Sequence, residues 1–143
     1  MSVYDAILDT NVLVAGLRSR RGASFRLLSL LGRDSRIQLH VSVPLVLEYE
    51  ATLQAQREQL GLAVRDIEAF LDYLCSIAIH HEVFYLWRPF LRDPKDDMVL
   101  ELAVAAGCQT IVSYNRQDFD GSEQFGVKVE SAKEFLQRMG ELK

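Results

Sequence analysis

The chain has 143 residues, 49% of them apolar and 25% charged, and a formal net charge of −4. That length reads most simply as a single domain, 1–143, long enough to bury a core, and the composition is ordinary for a soluble globular protein. No run approaches the ~20 apolar residues that span a bilayer, and the negative balance argues against a general nucleic-acid coat protein.

In chain order, residues 3–8 form a short apolar run bounded by polar residues, which reads as a buried strand. Residues 12–17 look helical until Ser19-Arg20-Arg21-Gly22 interrupts them. Residues 24–31 carry Phe25, Leu27, Leu28, Leu30 and Leu31, one apolar helix face. Residues 37–43 are a second strand, and Pro44 falls in the first turn of the next helix, where its missing N–H does no harm. That helix is expected to reach residue 59, with Leu45, Val46, Leu47, Tyr49 and Leu53 toward the core. Residues 64–79 place Ile67, Phe70, Leu71, Leu74 and Ile77 at helical spacing. A third strand lies within 80–86. Asp93-Pro94 breaks the chain before a helix over 95–106, with Gly107 as its C-terminal cap. Residues 110–113 and 127–129 are the last strands, and Ser131 caps a final helix over 132–139. This alternation predicts an α/β fold: a three-layer α/β/α sandwich around a mostly parallel sheet of about five strands. Ligands in such sheets bind outside the carboxyl ends of the strands.

Four acids stand where apolar runs end or the following helices begin: Asp9, Glu48, Asp97 and Asp118. In a parallel sheet they gather at one edge, and clustered carboxylates suit Mg²⁺ or Mn²⁺, which activate water toward phosphodiesters. Asp9 sits among Ala6, Ile7, Leu8, Val12, Leu13 and Val14, so its carboxylate resists ionising unless a cation binds. Asp96 and Asp97 both fall in the first turn of their helix, where the dipole favours anions. Residues 18–36 hold Arg18, Arg20, Arg21, Arg26, Arg33 and Arg36 against Asp34, a local +5 that leaves −9 elsewhere. An arginine-rich rim beside an acidic pocket suits a phosphate backbone; the alternative is a solvated helix face.

Other chemistries lack their residues. There is no Gly-x-Gly-x-x-Gly, no phosphate-binding Gly-x-x-x-x-Gly-Lys-Ser/Thr and no Gly-x-Ser-x-Gly elbow. Thr10-Asn11 after Asp9 denies an aspartyl-phosphate phosphatase its second acid. His80-His81 has no zinc set around it and reads as a strand-edge feature. Tyr85 and Trp87 read as packing residues, with base stacking as the alternative. Cys75 and Cys108 lie in apolar contexts and read as small buried hydrophobes in a reducing cytosol. Met1-Ser2-Val3-Tyr4-Asp5 has neither a basic nor an apolar leader region, so no signal peptide is expected and the compartment is the cytoplasm.

Four segments together resemble the PIN domain family over nearly the whole chain. They are Leu8-Asp9-Thr10-Asn11-Val12-Leu13-Val14, Pro44-Leu45-Val46-Leu47-Glu48-Tyr49, Asp93-Pro94-Lys95-Asp96-Asp97-Met98-Val99-Leu100-Glu101-Leu102-Ala103, and Thr110-Ile111-Val112-Ser113-Tyr114-Asn115-Arg116-Gln117-Asp118-Phe119. The tail over 125–136 resembles the end of small bacterial members, including VapC-type toxins. The resemblance implies a metal-dependent ribonuclease, with Asp9, Glu48 and Asp97 matching the first three family acids. Many members carry an acid where this chain has Asn115, so Asp118 completes the set directly, through water, or with a weak second metal. Thr10 and Ser113 match small polar residues around the first acid; Asn11, Asp93, Asp96 and Asn115 stand close enough to support the ligands. Arg18, Arg20, Arg21 and Arg26 would hold RNA phosphates. Mg²⁺ or Mn²⁺ is the implied cofactor; RNA, an antitoxin protein and a second copy of the chain are the implied partners. The alternatives are an inactive PIN module that binds RNA or protein, and a structure-specific nuclease outside toxin–antitoxin systems.

Overall fold

The computed structural model describes residues 3–83 and 90–143. The elements are β1 (Tyr4–Leu8), α1 (Thr10–Arg18), α2 (Ala23–Leu30), β2 (Ile37–Ser42), α3 (Val43–Ala55), α4 (Arg57–Leu60), α5 (Val64–Ile77), β3 (Ile79–His81), α6 (Pro94–Ala106), β4 (Thr110–Val112), β5 (Lys128–Glu130) and α7 (Ala132–Met139). The strands form one sheet in the order β3-β2-β1-β4-β5, and every neighbouring pair is parallel. Ala6 stands opposite Leu39, Leu8 opposite Val112, and Ile111 opposite Val129.

The expected α/β/α sandwich with a central parallel sheet is therefore the observed fold. Its core explains why. Ile7, Leu8, Leu39, Val41, Ile111 and Val112 are buried with Leu13, Leu45, Leu53, Leu100 and Phe135, each worth about 1.5–3 kcal/mol relative to exposure. The central strands bury both faces toward their carboxyl ends, where even the polar His40 and Ser42 of β2 are covered.

The connections place the strand ends. From β1 the chain moves outward to β2 and β3, then crosses back to β4 and β5. The right-handedness of such crossovers puts α1–α5 over one face and α6 over the other, while α7 returns to pack on α2. Strand order reverses between β1 and β4, so a crevice opens at the carboxyl ends of these two strands. Strands pass almost directly into caps. Asp9 accepts from the Thr10 amide at the start of α1, Ser42 from the Leu45 amide at α3, Asp93 from the Lys95 amide at α6, and Ser131 from the Glu134 amide at α7. Each offsets amides that a helix start leaves unpaired. Gly107 ends α6 at φ 65, the expected left-handed cap.

Several details differ from the sequence reading. The helix expected over 44–59 breaks at Gln56 (φ −106, ψ 9) into α3 and α4. Two short 3₁₀ turns, Arg116–Phe119 and Ser122–Phe125, follow β4. The third strand is Ile79–His81, so it starts one residue before the expected 80–86 and stops before Glu82 and Val83; 84–86, with Tyr85, and Trp87 lie outside the described residues. His81 joins its edge strand to the sheet: its Nε2 lies 2.8 Å from His40 Nδ1, and His40 Nε2 lies 2.7 Å from Asp5 Oδ1. Cys108 is buried, which pushes its thiol up to about 11. Among the described residues, no helix is long and apolar enough to cross a membrane.

Candidate metal centre

Asp9 leaves β1 at the crevice. Its backbone N–H donates to the Val112 carbonyl of β4 at 2.9 Å, so it is held in the sheet up to its last atom. Its Oδ1 accepts from the Thr10 amide at 2.9 Å and its Oδ2 from Ser113 Oγ at 2.7 Å. Asn11 Nδ2 adds a longer contact to Oδ2 at 3.4 Å and donates to Ser113 Oγ at 3.2 Å. The Asn115 amide also donates to Ser113 Oγ, at 3.1 Å. Asn11 Oδ1 accepts from the Tyr114 amide at 3.3 Å. Ser113 is thus the knot that ties the end of β4 to the first carboxylate. Below it, Tyr49 on α3 donates its hydroxyl to the Leu8 carbonyl at 2.5 Å, fixing the peptide that leads into Asp9.

Three more elements bring carboxylates to the same space. Glu48, on the second turn of α3, accepts from Thr52 Oγ1 at 3.1 Å and lies 3.4 Å from Lys95 Nζ on α6. Asp118 sits on the 3₁₀ turn after β4, its amide bound to the Asn115 carbonyl at 3.0 Å. Asp96 comes from the first turn of α6. Asp9, Glu48, Asp96 and Asp118 line one cavity of about 580 Å³, with Thr10, Asn11, Asp93 and Asn115. Its five carboxylates face two cations, Arg18 and Lys95.

Asp97, expected as the third acid, is not in that cavity. Consecutive helical residues point about 100° apart, so only one of the pair can face it. Asp96 shares the face of Asp93, three residues earlier. The Asp97 side chain turns to the other side, where its Oδ1 accepts from the Phe90 and Leu91 amides at 3.2 and 2.8 Å. It is buried, and it holds the chain entering α6. Asp96, expected to support the ligands, takes the place read for Asp97.

The electrostatics follow from this crowding. Burial pushes the Asp9 carboxyl up, Ser113 and the Thr10 amide pull it down, and the charges on Asp118 and Glu48 raise it again. Asp96 is pushed up to about 7, first by burial and then by Asp9, Asp118, Asp93 and Asp97. Such a set stores repulsion that a cation would relieve. All its donors are hard oxygens, the chemistry Mg²⁺ and Mn²⁺ prefer. Among the described residues no three His, Cys, Asp or Glu side chains are already grouped to hold an ion. Mg²⁺ does not need that, since it keeps several waters and binds through one or two carboxylates. The donor set fits.

The arginines separate. Arg18 lines the acidic cavity and reaches Gln56 Oε1 at 3.5 Å. Arg20, Arg21 and Arg26 line a different cavity. Arg26 is bound to Glu141, and Arg36 to both Asp34 and Glu141, so part of the +5 segment is already neutralised. Thr52, Gln56, Lys95 and Tyr114 also line the acidic cavity. Thr52 and Gln56 stand outside the family-like segments and Lys95 and Tyr114 inside them with no role read for them; they arrive by lying one turn from Glu48, in the break after α3, beside Asp96, or after Ser113.

A family profile described as PIN domain matches residues 5–117. That range includes Asp9, Glu48, Asp93, Asp96 and Asp97 and stops one residue before Asp118. Among solved structures, the chain is similar to a chain in the crystal structure of VapBC2 from Rickettsia felis bound to a DNA fragment from their promoter. The TM-score is 0.59 and the identity 14%, covering 89% of this chain and 98% of that one. At that identity the likeness is one of fold. No curated protein matches the sequence.

Proposed function

The chain belongs to the PIN domain family, and on that premise we propose that it is a Mg²⁺- or Mn²⁺-dependent endoribonuclease, the toxin of a toxin–antitoxin pair, acting in the cytoplasm. The observation that carries the nuclease reading is the convergence of Asp9, Glu48, Asp96 and Asp118, from four separate elements, on one cavity at the switch point of a parallel sheet. The family's members generally depend on a divalent metal, and the donor set here suits one.

Asp9 and Asp96 are the primary ligands in this reading, with Glu48 and Asp118 binding directly or through water. Held by these carboxylates, Mg²⁺ or Mn²⁺ would supply a water of lowered pKa and positive charge beside the phosphate. The protein's own part is positional. Ser113, Asn11 and the Thr10 amide hold the Asp9 carboxylate in one orientation. Thr52 holds Glu48. Lys95 and Arg18 stand at the cavity as the cations nearest the acids and receive phosphate oxygens on either side of the scissile bond. No side chain in the cavity need act as a nucleophile.

The antitoxin partner is supported by the fold shared with the VapBC2 complex and by the excess of carboxylates, which suits a basic segment laid across the cavity. A homodimer is supported by Val43 and Leu47, 65% and 58% exposed on α3. One observation favours the alternative of a module without activity: the cavity holds Asn115 where many family members carry an acid.

The test is a labelled single-stranded RNA incubated with the protein in Mg²⁺, in Mn²⁺ and in EDTA, beside Asp9→Asn. Cleavage that needs both metal and Asp9 is expected. Cleavage that survives in Asp9→Asn at the wild-type rate overturns the assignment, and a folded wild type that neither binds Mn²⁺ nor cuts RNA leaves the binding module.

A further inference from the structure

The second basic feature of the molecule is a cavity of about 490 Å³ between the turn after α1, helix α2 and helix α7. It is lined by Arg20, Arg21, Phe25, Arg26 and Lys133, among others. Lys133 arrives from the far end of the chain because α7 packs on α2. Arg26 is engaged by Glu141 at 3.2 Å. Arg20, Arg21 and Lys133 have no carboxylate partner among the described residues. Three uncompensated cations around a concavity, in a chain whose net charge is −4, are not the expected face of an acidic protein. Phe25 is half-buried among them, a ring beside cations.

This groove and the acidic cavity are linked through the segment 18–25. Arg18 lines the cavity, and Arg20, two residues on, lines the groove. Ser24, between the groove residues Ala23 and Phe25, hydrogen-bonds through Oγ to the hydroxyl of Tyr114, a cavity residue, at 2.6 Å. Arg18, two residues before Arg20, is a cation of the acidic cavity on the side of the chain that leads to the groove.

We propose that this groove binds the sugar–phosphate backbone of a single-stranded RNA running on from the acidic cavity, with Phe25 stacking on one base. The inference rests on the nuclease reading for the place of the scissile bond, not for the groove itself. The combination of cations with an aromatic face is what single strands require. The charges track phosphates and are sequence-blind, and the ring takes any unpaired base. A free phosphate would use the cations and not Phe25. A duplex could not present a base to it. An acidic peptide would follow the charges alone.

The experiment measures anisotropy of a labelled single-stranded RNA in EDTA, where the acidic cavity offers no metal and cleavage does not intervene. Arg20→Ala/Arg21→Ala/Lys133→Ala is expected to weaken binding more than tenfold and to make the dependence of log affinity on log salt shallower by about 2, near 0.7 per phosphate contact removed. Phe25→Ala is expected to weaken it roughly 5- to 160-fold. Phe25→Leu, which keeps the apolar volume, separates loss of stacking from loss of packing: weakened binding with an unchanged melting temperature supports the ring. Arg20→Lys/Arg21→Lys restores the salt slope.

Unchanged affinity and slope in the triple variant overturn the proposal, as does equal competition by polyglutamate or inorganic phosphate, or equal binding of a duplex. Cleavage of a short RNA in Mn²⁺ keeps the two readings apart. A wild type that binds RNA through these residues and cuts nothing leaves the groove standing and removes the nuclease. Wild-type cutting, with triple-variant binding unchanged, removes the groove alone.

Discussion

Asp96 and Asp97 differ by one position and face different chemistry. Asp97 accepts two backbone amides and is buried; Asp96 faces four other carboxylates. Asp97→Asn halves the acceptor strength offered to Phe90 and Leu91 and should cost about 1–3 kcal/mol of stability, read as a lower denaturation midpoint. Asp96→Asn should stabilise the metal-free protein instead. The sign follows from linkage. The folded Asp96 carboxyl holds its proton to about 7, whereas the unfolded one releases it near 3.9, so between those values the folded state binds more protons. Stability therefore falls as pH rises through that window. Relief by Asp96→Asn should be larger at about pH 8 than at about pH 5, and an equal effect at both would contradict the placement. The same proton competes with a cation: Mn²⁺ affinity should be about tenfold weaker at about pH 6 than at about pH 8, given release near 7. Tyr49 was legible as a core residue, and its burial agrees. The destination of its hydroxyl was not, because the Leu8 carbonyl is remote in sequence. Tyr49→Phe leaves that carbonyl without its partner and should cost about 1–3 kcal/mol, checked by urea denaturation.

At the scale of elements, strands and caps were readable because each leaves a local signature. Leu39-His40-Val41-Ser42-Val43 alternates apolar with polar residues at strand period, Pro44 marks a first turn, Ser131 with Glu134 marks another, and Gly107 stops α6. Helix phase was not readable. Two adjacent aspartates in one first turn both satisfy a dipole, and only the packing of α6 against the sheet decides which enters the crevice. The break at Gln56 has no Gly or Pro to announce it. The arginines of 18–36 read as one rim because they are contiguous in sequence, but the turn over 19–22 sends Arg18 to one cavity and the next three to another. Lys133 belongs to the second cavity through the α2–α7 contact, which no local pattern encodes. The edge strand β3 depends on a chain of three polar side chains. His81 is held below its ordinary value by burial and by His40 and His80, so the folded state favours its neutral form. Its contribution is complete above about pH 6.5, the unfolded value, and is lost as pH falls below it. His81→Phe should remove this part of the acid sensitivity, seen as a smaller fall in the denaturation midpoint between about pH 7 and pH 5 than the wild type shows.

For the whole molecule, the sheet's reversal between β1 and β4 explains why residues far apart in sequence share one site. Asp9 ends one strand and Ser113 follows the other, and the parallel arrangement puts the first turns of α1, α3 and α6 at the same edge. That much follows from alternating elements and from the acids that end them. In the proposed function those acids gather around a divalent cation. Calorimetric titration of Mn²⁺ into the wild type, Asp96→Asn and Asp97→Asn at about pH 8 tests it most directly. Binding by the wild type and Asp97→Asn, with at least a tenfold loss in Asp96→Asn, is the predicted result. Loss in Asp97→Asn with retention in Asp96→Asn would contradict it.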